Sequence, residues 1–132
     1  MSREIPKDVA QFITEYIDSL EQLEVLLLMR ASAPTEWDGA AVARELRIDP
    51  GSASGRLASL AARGLLVATD EAGGRYRFDP RSSELNRVVG RLADTYKERR
   101  VSVITLIFSK PSDTIRSFAD AFRIRKDDKD NG

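Results

Sequence analysis

The sequence contains no cysteine and no histidine. The first absence excludes disulfides, thiol nucleophiles and thiolate metal sites. The second removes the commonest general base and the commonest metal ligand. No uninterrupted apolar run nears the ~20 residues that a bilayer-spanning helix needs. The polar, charged start from Met1 to Asp8 does not read as a secretory signal. A cytoplasmic protein without membrane insertion is therefore expected. Phosphate-cradling loops are missing too, because Gly73-Gly74 falls in a hairpin pattern and not ahead of a helix. The paired acids Glu21 and Glu24, and Asp127 and Asp128, read as solvated charge. These absences leave no catalytic, cofactor-binding or metal-binding residue to nominate, so the expectation is a protein that is not an enzyme and carries no cofactor.

What is present is enough for one compact domain with terminal extensions: 132 residues, of which 42% are apolar. Basic and acidic side chains balance at 21 each, but not evenly along the chain. Residues 1–37 carry a charge of −4, residues 38–79 are neutral, and residues 80–132 carry +4.

Val9, Phe12, Ile13, Tyr16 and Ile17 recur at helical spacing. Ser19-Leu20-Glu21-Gln22 fits a capping box, which predicts a break near Asp18-Ser19 and a second helix to about Ala31. Trp37 reads as a core plug on a short strand. Asp38 is a good cap for a short helix ending near Leu46, with Ala41, Val42 and Leu46 facing inward. Asp49-Pro50 then starts a second helix about three residues later, and Gly64 ends it. In that helix Ala53, Leu57, Leu60 and Ala61 form the buried stripe, while Ser52, Ser54, Gly55, Arg56, Ser59 and Arg63 stay outside. Leu65–Thr69 and Arg75–Phe78 read as two strands around an Asp70–Gly74 turn.

Ser82 or Ser83 caps what reads as one long helix. Leu85, Val89, Leu92, Tyr96, Arg99, Val103 and Leu106 keep a three-four spacing over ~25 residues, or ~38 Å. Lys110-Pro111 stops it, and Ser112 or Asp113 caps a last helix with Ile115, Phe118, Ala119 and Phe122. Lys126–Gly132 is charged, lacks apolar residues and reads as disordered.

The order helix, helix-turn-helix, hairpin, long helix resembles bacterial winged helix-turn-helix regulators of the MarR and ArsR type. The match is carried by Ser52-Ala53-Ser54, Leu57, Leu60 and Arg63-Gly64-Leu65-Leu66 followed by the hairpin, and it covers roughly residues 20–80. The fold class it implies is mainly α with a small β-hairpin, a winged helix-turn-helix with additional N- and C-terminal helices. On that division, residues 1–18 are a helical extension, 19–80 the winged-helix domain, 81–125 C-terminal helices for dimerisation or interaction, and 126–132 the tail. The resemblance implies a DNA-binding transcriptional regulator that acts as a winged-helix homodimer on double-stranded DNA. Ser52, Ser54, Gly55, Arg56 and Ser59 would then face bases and phosphates, with Arg56 the one side chain able to make a bidentate contact to guanine. Gly55 departs from the long polar residue such helices often carry, and Asp70 and Glu71 give the wing tip an acidic character. Arg63, Arg75 and Arg77 would offset that acidity.

The acidic N-terminal region and the basic C-terminal one are expected to pack together, within one protomer or across a homodimer. They would bury Phe12, Tyr16, Leu92, Tyr96, Val103, Ile107, Phe118 and Phe122. The alternative function is a winged-helix module that holds a protein partner and binds little or no DNA.

Overall fold

The computed structural model describes residues 5–109. The expected last helix with Ile115, Phe118, Ala119 and Phe122, and the charged tail, lie outside the described residues. The first helix, α1 (Lys7–Tyr16), ends before Ser19, and α2 (Leu20–Ala31) begins there. Half of the capping box forms as expected: Ser19 accepts from the Gln22 backbone N–H, but the Gln22 side chain reaches past the cap and accepts from the Asp18 N–H. A two-residue strand, β1 (Trp37–Asp38), leads into α3 (Gly39–Leu46), whose first turn is capped by Asp38 at 2.8 Å from the Ala41 nitrogen. Trp37 is half-buried, and its indole N–H donates to Ser32 Oγ at 2.9 Å.

Arg47 takes the left-handed conformation (φ 59°) and turns the chain into α4 (Pro50–Ala62). Asp49 caps α4 through the Ser52 N–H, and Gly64 follows its end at φ +83°. The hairpin is β2 (Leu66–Ala68) and β3 (Arg75–Phe78), and β3 lies between β1 and β2 in an antiparallel sheet. This is a winged helix-turn-helix with helices added at both ends: six helices and a three-stranded sheet among the described residues.

The C-terminal part differs from its expectation. The single ~25-residue helix is two, α5 (Ser83–Glu98) and α6 (Arg100–Ser109), because Arg99 leaves the helical region at φ −132°, ψ 52°. The Thr95 hydroxyl bonds back to the Arg91 carbonyl at 2.8 Å, an interaction that bends helices. The bend returns the apolar residues of α6 to the body of the protein, where Val103 and Ile107 are buried. A straight helix would have carried them into solvent. Across the bend, the Arg100 guanidinium lies over the Tyr96 ring at 4.9 Å.

One core cluster joins all layers: Val9, Phe12, Ile13 and Ile17 from the start of the chain, Leu23, Leu26 and Met29 of α2, Val42 of α3, Leu57 and Leu60 of α4, and Val89, Leu92, Val103 and Ile107. In α3, Val42 and Ala43 are the buried pair, and Ala41 and Leu46 are only half-buried. Asp8 pairs with Arg91 at 2.7 Å and Glu24 with Arg100 at 4.0 Å, so acidic and basic ends of the chain do meet, within one protomer.

α3 and α4 approach closely at Gly39, where an added Cβ would clash with Ser54 Oγ and sit 3.1 Å from Ser54 Cβ and 3.2 Å from its backbone nitrogen. Gly39→Ala should therefore destabilise the protein by about 1–3 kcal/mol, as overpacking does. Chemical denaturation measures it; a loss under about 0.5 kcal/mol would show that the crossing is looser than this spacing implies.

Candidate nucleic-acid interface

Helical geometry divides α4 into three stripes. Ala53, Leu57 and Leu60 are buried in the core. Ser52, Arg56, Ser59 and Arg63, spaced four, three and four apart, are half-buried toward the first two helices. Gly51, Ser54, Gly55, Ala58 and Ala62 face solvent. Of the residues expected outside, only Ser54 and Gly55 are fully exposed.

The middle stripe is an ordered polar seam. Glu21 Oε1 accepts from the Ser52 hydroxyl and from Arg56 Nε, the latter at 3.0 Å. Gln22, itself buried, donates to Ser59 Oγ at 3.2 Å. Arg63 donates to the Tyr16 carbonyl at 2.6 Å, the Glu15 carbonyl at 3.3 Å and Asp18 Oδ2 at 2.8 Å. It thus satisfies the free carbonyls at the end of α1, a place where a cation also complements the helix dipole. Ser59 and Arg63 are occupied in holding α4 against the N-terminal helices. Arg56 is occupied only at Nε, and its side chain keeps one third of its exposure. Among the described residues the hydrogen bond and ion pair of its guanidinium involve Nε alone.

The Glu21 carboxyl is held below its ordinary value of 4.5, first by the Ser52 hydroxyl and then by Arg56. A carboxylate depressed in the folded state adds stability above its unfolded pKa and loses it as pH falls through the folded value. Glu21→Gln should therefore narrow the stability difference between about pH 7 and about pH 3. Denaturation at the two pH values checks this; an unchanged difference would remove Glu21 from the acid response.

On the wing, Arg75 and Arg77 alternate with Tyr76 and Phe78, which pack against the core. Arg75 lies 3.8 Å from Glu36, and Arg77 lies 3.2 Å from Asp79. Exposed pairs of this kind are worth about 0–1 kcal/mol, so phosphate can displace either acid. Asp70 has a local task. Its Oδ1 accepts from the Gly74 and Arg75 N–H groups, and those bonds lower its pKa, that of Arg75 most. The acid at the wing tip thus holds the turn closed.

Two exposed cations of the helix-turn-helix are absent from the sequence-based set. Arg44 in the last turn of α3 and Arg47 in the turn are exposed, with no ion pair among the described residues. Their place in the helix-turn-helix was legible, since the helix before the recognition helix crosses the DNA backbone in that motif.

Of the expected interface set, Phe12, Leu92, Val103 and Ile107 are buried inside the protomer, and Tyr16 and Tyr96 are half-buried. Phe12 and Tyr16 stack with ring centroids 4.7 Å apart. Phe118 and Phe122 lie outside the described residues. Among the described residues no helix is long and apolar enough to cross a membrane, and no group of acids could hold a metal ion.

No protein-family model matches the chain, and no curated protein does. Among solved structures the chain is similar to a possible transcriptional regulator from Methanosarcina mazei Go1. The two are 13% identical over 75% of this chain and 85% of the other, with a TM-score of 0.46.

Proposed function

We propose that the protein is a DNA-binding transcriptional regulator that lays α4 in the major groove of double-stranded DNA. The observation that carries this reading is the state of Arg56. Glu21 fixes its Nε and leaves the paired Nη groups, the fork that reads O6 and N7 of guanine. Around it the outward face of α4 is thin. Gly51 and Gly55 let the helix backbone approach closely, and Ala58 offers a methyl contact to thymine. Arg44 and Arg47 of the helix-turn-helix and Arg75 and Arg77 of the wing supply phosphate contacts, which set register and carry most of the salt dependence.

A homodimer would need a surface other than Phe12, Leu92, Val103 and Ile107, which intrachain packing already covers.

The side-chain-poor face of α4 also favours a second reading, a module that packs this face against a protein partner. Selection from genomic fragments at two salt concentrations separates the two. Enrichment of one sequence, with affinity falling steeply with salt, supports the DNA reading. No enrichment at low salt supports the interaction module.

A further inference from the structure

A glycine inside a helix makes it less stable than an alanine would, because the unfolded chain then has more freedom to lose. At its other helical glycines the fold supplies a reason. An added Cβ at Gly39 would clash with Ser54 Oγ, and one at Gly90 of α5 would sit 3.1 Å from Arg30 Nη2. At Gly51, in the first turn of α4, it would sit 3.1 Å from the capping carboxylate of Asp49. Gly55 has no such reason. It lies inside α4, it is exposed, and a Cβ there would meet nothing within 4 Å. Folding alone favours alanine at this position, so the bare backbone points to a partner that comes close.

The next residue supplies an independent observation. Arg56 is tied at Nε to Glu21, 3.0 Å away, and its side chain is only one third exposed. Its reach beyond α4 is therefore short, because only the end of the guanidinium lies past the tether. An arginine held in this way meets a base edge only when the helix itself lies deep in the groove. We propose that Gly55 is a specificity-determining residue: with no Cβ there, α4 seats about one methyl group deeper in the major groove, and the tied Arg56 reaches O6 and N7 of guanine. Gly51, four residues before, and Ala58, three after, are exposed on the same side of the helix, so no longer side chain props that row away. The inference rests on the DNA reading of α4 and adds that depth of seating sets base discrimination. Long, exposed phosphate-binding arginines tolerate a small lift of the helix. A bidentate pair does not, because its two hydrogen bonds need short distances and aligned donors.

The test is Gly55→Ala in the full chain, measured by denaturation and by binding to the selected duplex. Its denaturation midpoint should equal or exceed that of the wild type. Its affinity for the selected duplex should fall about tenfold, as when a base contact is lost, while its affinity for a scrambled duplex stays near wild type. The second probe is the selected duplex with 7-deazaguanine, which lacks N7, in place of guanine. The wild type should bind it about tenfold more weakly, and Gly55→Ala should bind the two duplexes alike. Wild-type affinity and wild-type sensitivity to the missing N7 in Gly55→Ala would overturn the proposal and leave Arg56 as the base reader. A lowered midpoint would also overturn it, since the glycine would then serve the fold. A wild type indifferent to the missing N7, with unchanged binding by Arg56→Ala, would overturn the reading of Arg56 itself and this proposal with it.

Discussion

Arg56→Ala should weaken binding to the selected DNA site by about 10- to 100-fold. This is the ~1–3 kcal/mol expected when a bidentate contact to guanine is lost. The loss should be concentrated on the preferred sequence, because phosphate contacts from Arg44, Arg47, Arg75 and Arg77 remain to hold any duplex. Arg63→Ala is the control. Its guanidinium is bound to the Tyr16 and Glu15 carbonyls and to Asp18. That variant should lose stability, yet at a temperature where it is folded it should keep its preference among sequences. Fluorescence anisotropy on cognate and scrambled duplexes measures both. Equal, small losses for Arg56→Ala on both duplexes would show that Arg56 does not read a base.

Leu57→Ala should cost about 2–5 kcal/mol of folding stability. Leu57 is fully buried and sits on the helix that also carries the exposed face. Deleting its side chain leaves a cavity between α4 and the core that the ordered seam beside it resists closing. The seam is held by Glu21, Gln22 and Asp18, and it fixes α4 at Ser52, Arg56, Ser59 and Arg63. The loss should appear as a lower denaturation midpoint with an unchanged slope. A cost below about 1 kcal/mol would mean that α4 can slide inward to fill the gap.

The residues that bound elements were readable because capping is local. Ser19, Asp38, Asp49 and Ser82 each accept from an N–H three residues on, and Gly64 adopts its positive φ one residue after the α4 cap. Such signals need only a few neighbouring residues. The break at Arg99 was not readable, because the three-four period from Leu85 to Leu106 runs unbroken through it. Periodicity records which residues want burial, and a bent pair of helices satisfies it as well as a straight one. The site was half legible for a similar reason. Helical spacing separates Leu57 and Leu60 from the polar positions of α4. It does not separate a serine that faces solvent from one that faces Glu21 or Gln22, because that depends on where α2 packs. The same holds for Asp70, whose charge was plain in the sequence and whose two bonds to the turn backbone were not.

The central claim is that α4 and the wing form the nucleic-acid face. Amide chemical-shift mapping during titration with the selected duplex tests it most directly. The account predicts that perturbed amides cluster at Arg44 and Arg47, at Gly51 to Ala58, and at Arg75 to Arg77, while those of α6 stay in place. Perturbation that spares α4, or none at saturating duplex in low salt, would contradict it.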